Sequence, residues 1–286
     1  MQHFSTDALI LRAVDRGDHD RLLTVLAADY GRFYAIQKGA RSMHRREVAA
    51  TEPFTWSNFE FYERGGVKWV KSATAQETFP GIRYDMDKLF LAAYVADVAA
   101  ELSDEHEPAG EILPLTLNTL HKLSVTKGED AVLKAAFEMR AACIAGFSPD
   151  LHECRCCHTP ATARAAYLDV MNGALVCAEC LHKAAALAPI PEVNEQGERT
   201  VLLPLTTAAT AALSFVKRAP ARRVFAFQLT DVASKEAFCR ATEAYLLHHL
   251  ERSFPSLEQY KKTRAMLSKM AASKAAAPVA ANEELC

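Results

Sequence analysis

The feature that most restricts this chain is a double cysteine spacing: Cys154 and Cys157, nineteen intervening residues, then Cys177 and Cys180. Two residues between cysteines let one tight turn aim both sulfurs at one ion, and a second such turn completes a tetrahedron. Between the pairs, residues 164–176 read as two short strands around an Asn172-Gly173 turn, a hairpin that returns the second pair to the first. Zinc suits this donor set, and four thiolates leave no open coordination position, so its role is structural. The competing readings are four packed thiols or two disulfides, and disulfides require an oxidising compartment that nothing in the chain indicates. Cys156 lies inside the first knuckle, and His152, His158 and His182 lie close by. Any of them is a possible substitute ligand, with Cys154 the position most open to replacement.

Composition matters here mainly through charge. The 286 residues carry a net charge of −2, but the charge is unevenly placed. Residues 84–130 hold ten acids against three basic residues, and residues 215–274 hold twelve basic residues against five acids. Between Arg32 and Arg46 there are five basic residues and no acid. Two basic surfaces and one acidic surface are therefore expected, a pattern that suits contact with polyanions. No apolar run reaches the length of a membrane span, and Met1–Asp7 shows no basic-then-apolar leader. Eight cysteines, four of them assigned to metal, fit a reducing cytoplasm.

In chain order, residues 5–14, Leu22–Ala28, Arg32–Lys38, Phe54–Tyr62 and Val67–Ala75 read as strands separated by glycine turns. Five short strands in so little chain point to a small closed barrel, with an OB-fold as the candidate. From Arg83 the apolar period becomes helical: Asp85–Ser103, Ile112–Leu123, Ala131–Ala145, then Leu205–Lys217, Asp231–Arg252 and Leu257–Met270. Residues 189–204 read as a linker, and Ala271–Cys286 as a frayed end. The expected fold class is α+β: an OB-fold β-barrel domain over 1–82, then a helical domain over 83–265 with a zinc-binding module, 150–183, inserted. Residues 266–286 are expected to be a flexible tail.

Phosphate-loop, dinucleotide, metalloprotease, esterase-elbow and deaminase patterns are all missing. A binding protein is expected rather than an enzyme. A zinc enzyme would need one of the four cysteines not to bind. Arg32, Lys38, Arg41, Arg45 and Arg46 form the first candidate DNA-binding set, with barrel aromatics available for base stacking. Lys217, Arg218, Arg222, Arg223, Lys261, Lys262 and Arg264 form a second basic set, suited to duplex or to a partner's acidic-apolar tail. Solvated loop and helix charges are the plain alternative for both sets. An adaptor that binds acidic peptides, with DNA contact incidental, is the second functional reading.

The order of these features resembles the bacterial RecO family. The strand running into Asp18-His19-Asp20-Arg21-Leu22-Leu23-Thr24-Val25-Leu26 carries the resemblance first, followed by Tyr30-Gly31-Arg32 and Lys38-Gly39-Ala40-Arg41. Pro53-Phe54, Tyr94 in an acidic helix, the Leu113–Leu120 helix and the cysteine pairs continue it. The resemblance implies an N-terminal OB-fold and a DNA repair and recombination mediator without enzymatic activity. Such a protein binds single- and double-stranded DNA, anneals complementary strands and assists RecA loading. The implied partners are a RecR-like protein and the C-terminal tail of single-strand-binding protein, in the bacterial cytoplasm at the nucleoid. By residue, it implies roles for Lys38, Arg41 and the cysteines. His158 departs from the family pattern, which often has glycine after the second cysteine.

Overall fold

The computed structural model describes residues 2–40, 45–105, 107–161, 165–187 and 201–276. Its first five strands are β1 (Gln2–Arg16), β2 (Asp20–Ala27), β3 (Gly31–Gln37), β4 (Trp56–Arg64) and β5 (Val67–Glu77). They close into a barrel in the order β1-β2-β3-β5-β4, with β4 returning to β1. The β3–β5 pairing is parallel and the others antiparallel. Closure leaves no unpaired edge, so the barrel needs no cover on that account.

Alternation along β1 assigns each barrel face. Ala8 and Ile10 point inward to meet Leu23, Val25, Phe33, Phe59 and Phe61 in a core of the barrel's own. Leu9 and Leu11 point outward and, with Leu26 and Phe54, join the core of the helical body. Phe54 was expected to begin the fourth strand, which instead begins at Trp56. Phe54 takes a left-handed φ of 63° and is buried against the body, a conformation no strand residue can hold.

The basic segment after β3 leads into α1 (Arg45–Ala50), which packs against β5. The body consists of α2 (Pro80–Arg83), α3 (Met86–Glu101), α4 (Ile112–Val125), α5 (Asp130–Ile144), α6 (Ala178–Leu187), α7 (Thr207–Arg218), α8 (Val232–Leu250) and α9 (Pro255–Ala276). Three starts are capped by side chains: Asp85 accepts from the Asp87 and Lys88 amides, Thr206 from Ala209, and Asp231 from Ser234. The last helix runs beyond Met270 to Ala276, where fraying was expected. Alanine's high helix propensity carries it without an apolar stripe.

Barrel and body meet at a tight joint. Gly31 has φ 61°, and a Cβ there would lie 2.1 Å from the Glu107 carbonyl oxygen. The Arg32 amide donates to Asp104 and the Ala109 amide to Ala28.

A second sheet comprises β6 (Asp150–Cys154), β7 (Ala166–Asp169), β8 (Ala174–Cys177) and β9 (Leu202–Leu205), ordered β6-β8-β7-β9. The β7–β8 hairpin turns through Asn172-Gly173 as expected. The fourth strand corrects the linker reading of 189–204, because Leu203 pairs with Leu168 and Leu205 with Ala166. Pro204 disguised it: proline lacks a ladder donor and is tolerated on an edge strand. Residues 188–200 lie outside the described part. Leu151, Leu168, Val170, Leu175 and Leu205 belong to the same buried cluster as the helices, so the sheet is a layer of the body.

Candidate metal centre and nucleic-acid interface

The four cysteines arrive from two structural directions. Cys154 ends β6 and Cys157 follows in a tight turn, closed where the Cys154 amide donates to Thr159 and the His158 amide to Cys154. Cys177 ends β8 and Cys180 stands in the first turn of α6. The parallel β6–β8 pairing sets Cys154 beside Leu175 and brings the pairs together. The four sulfurs all lie within 4.8 Å of one another.

This geometry fits an ion and not a disulfide. Cys157 and Cys177 sulfurs are 3.6 Å apart, against about 2.05 Å for a bonded pair. A zinc–sulfur distance of about 2.3 Å gives tetrahedral edges of about 3.8 Å. Backbone amides of Cys177 and Cys156 donate to the Cys154 sulfur, and that of Cys180 to the Cys177 sulfur. Such N–H groups favour the thiolate form. The Thr159 hydroxyl, 3.2 Å from the Cys157 sulfur, together with the Thr159 amide brings the Cys157 thiol down to about 6.

Among the described residues, the grouped metal donors are these four cysteines. Cys156 is exposed outside the group, and the His158 ring pairs instead with Glu153. His158 has φ 56°, in the region where glycine is the easy occupant. Asp169 was missed by the sequence reading. It is fully buried and accepts from Arg155 on the first knuckle at 2.8 Å, and from the Asn172 amide and side chain. An Asp three residues before Asn in a hairpin is a local signal for such a turn.

The two basic sets are treated differently by the fold. On the barrel, Lys38 is exposed with Nζ 4.6 Å from the Trp69 ring centroid. The next residue, Gly39, has φ 61° and donates to Asp20 at 3.1 Å, turning the chain away from the strand. Lys68 Nζ lies 5.5 Å from the Phe33 ring, and Arg64 is exposed at the end of β4. Arg32 is committed elsewhere: its Nε donates to the Ser103 carbonyl at 3.0 Å, binding barrel to body. Arg41 lies outside the described residues. Arg45 and Arg46 open α1, and only their backbone is described.

In the body, Lys217 donates to the Pro149 carbonyl at 2.6 Å, beneath the second sheet. Arg218 donates to its own helix at Ser214, while Arg222 and Arg223 stay exposed on a single 3-10 turn, Ala221–Arg223. Lys261 pairs with Glu243 at 2.6 Å, Arg264 donates to the Tyr260 hydroxyl, and Lys262 is exposed. Glu243 also pairs with buried Lys134, which bonds Glu138, itself bonded to Tyr94 and Thr242. Burial alone would lower the Lys134 pKa, but Glu138 and Glu243 outweigh it and raise it.

Above this network, α5, α8 and α9 enclose a groove of about 810 Å³. Val132, Cys239 and Ala244 line it, with Lys235, Arg240 and Arg264 among its charged residues. Among the described residues no helix is long and apolar enough to cross a membrane.

Comparison with known proteins agrees with this architecture. A family model described as Recombination protein O N terminal matches residues 1–79, and one described as Recombination protein O C terminal matches residues 83–258. A DNA repair protein RecO of Anaeromyxobacter sp. (strain K) is 32% identical over 255 residues, 88% of this chain and 93% of its own length. One from Pelotomaculum thermopropionicum is 30% identical over 256 residues, 90% of this chain and 93% of its own. One from Acetivibrio thermocellus is 25% identical over 261 residues, 91% of this chain and 97% of its own.

Proposed function

The chain belongs to the RecO family of DNA repair proteins, and from that premise we propose that it is a recombination mediator acting without catalytic chemistry. It binds single- and double-stranded DNA, neutralises phosphates so that complementary strands pair, and assists RecA loading onto DNA coated by single-strand-binding protein. Its place is the bacterial cytoplasm, at the nucleoid, with a RecR-like partner. The observation that carries this reading is the outer barrel face on which Lys38 and Arg64 stand without an ion pair among the described residues. Cations not already neutralised by the protein are those that release counterions from DNA.

Zinc in the four-cysteine site supplies a structural tie and no reaction step, because Cys154, Cys157, Cys177 and Cys180 would fill its coordination. The groove between α5, α8 and α9 favours the adaptor element of the function. Its apolar lining and the exposed Arg240 suit the acidic-apolar C-terminal tail of single-strand-binding protein, while Lys235 is paired with Glu129, and Glu236 and Glu243 also line the groove.

The test is annealing of two complementary oligonucleotides by the purified protein without nucleotide, bare and coated with single-strand-binding protein. Acceleration in both conditions supports the mediator. Binding of the tail peptide with no DNA contact at low salt leaves the adaptor alone.

A further inference from the structure

The outward side of the barrel carries a row of rings across three neighbouring strands. His3 on β1 is the register partner of Tyr62 on β4, and Tyr62 is the partner of Trp69 on β5. The Tyr62 and Trp69 rings lie 6.4 Å apart with planes within 14°, and His3 lies 6.1 Å from Tyr62. Cross-strand ring pairs also serve simply to hold sheets together. Here the inner face already has its own aromatic packing, in which Phe59 and Phe61 are fully buried. Tyr62 and Trp69 remain half-exposed, and His3 is exposed. The free cations on this face are Arg64 and Lys38, which rests on the Trp69 ring itself, and two residues along the same strands Lys71 is paired with Glu60.

We propose that Trp69 and Tyr62 form a stacking platform for unpaired bases, with Lys38 as the latch over the Trp69 ring. This deepens the DNA-binding reading above and rests on it. In the free protein the Lys38 ammonium occupies the ring face through a cation–π contact. An incoming phosphate draws the ammonium off, and the exposed ring receives the base. Every base has a π-face, so the platform is indifferent to sequence. A duplex keeps its base faces stacked on one another and offers this surface phosphates alone. The platform therefore gives the barrel a preference for single strands that cations by themselves do not.

The experiment compares a labelled thymidine oligonucleotide with a duplex of equal length, at one salt concentration, by fluorescence anisotropy. Trp69→Ala is expected to weaken single-strand binding roughly tenfold or more, with duplex binding changed less than about twofold. Trp69→Phe, which keeps a ring, is expected to recover most of the loss, and unchanged duplex binding certifies the fold. Lys38→Ala is expected to weaken both substrates. Equal losses on both substrates for Trp69→Ala, or no loss on the single strand, would overturn the platform while leaving DNA binding intact. If the unchanged protein binds neither substrate, the DNA reading of the barrel fails and the platform with it.

Discussion

Two sheets in this molecule are held together by different means. The barrel closes on itself, pairs every strand on both sides and fills its interior with Ile10, Leu23, Val25, Phe33, Phe59 and Phe61. The second sheet has strands of four or five residues, an open edge at β9, and no separate core. Its β6 meets β8 at two register positions, Asp150 with Ala174 and Cys154 with Leu175, as few as the β3–β5 pair that closes the barrel, but without a core of its own behind them. A sheet this short is not stable through its ladder. It borrows its hydrophobic side from the helices, and its other attachments are the cysteine cluster and buried Asp169. The comparison teaches where the four-cysteine cluster sits: at the sheet whose own packing is least sufficient.

Chelation is the strongest way to break this contrast, because a structural zinc held by the four cysteines would be worth on the order of 10 kcal/mol. Hydrogen exchange in the presence of a strong chelator is expected to accelerate across Asp150–Cys177 and to leave β2 and β3 protected. Equal protection of both sheets, with and without chelator, removes the metal from the account.

Asp169→Ala comes next. It strands the Arg155 guanidinium and the Asn172 donors around a buried site, at a cost of about 2–3 kcal/mol in urea denaturation. A loss below about 0.5 kcal/mol, the scatter of ordinary surface changes, means that the first knuckle is not held to the β7–β8 turn through this carboxylate.

A smaller change of opposite sign is expected at His158, whose left-handed backbone costs a non-glycine residue about 1 kcal/mol. His158→Gly relieves that strain, partly offset by glycine's freedom in the unfolded chain and by loss of the Glu153 contact. A net rise in melting temperature is the expected outcome, and a fall shows that the Glu153 pairing dominates.

The smallest effect concerns pH and the helix beneath the second sheet. The His249 ring stacks 5.0 Å from Phe147 and meets Tyr245 edge-on at 4.2 Å, and the Tyr245 hydroxyl sits where a Gly173 side chain would be. Burial, and then neighbouring His248, hold the His249 imidazole below its ordinary value. The folded state therefore prefers the neutral ring. This stability is complete above about pH 6.5, the ordinary histidine value, and is lost as pH falls from there through the lowered folded value. His249→Gln is expected to flatten that acid slope in melting curves, and an unchanged slope assigns it to other groups.

Much of this was legible from residues near one another in sequence. The cysteine pairs, the Asn172-Gly173 turn and the helix starts at Asp85 and Asp231 are local devices, and the structure has each of them. The strand at Leu202–Leu205 was hidden, since its partner lies at Ala166–Asp169 and its own proline argues against a strand. Charge was the least legible property. Arg32 and Lys217 stand in basic runs of the sequence, and in the fold they donate to the Ser103 and Pro149 carbonyls, which leaves their charge in place.

The sequence alone determined the five barrel strands to within a few residues, the six longer helices and the four donors for a metal, because turns and periodicities act over a few residues. Only the tertiary structure decided which cations stay available, which rings line up on the barrel's outer face, and that the second sheet shares the helices' core. Those properties depend on partners supplied from distant parts of the chain. Lys38 faces Trp69 and Lys217 faces Pro149 through folding, and not through any local spacing.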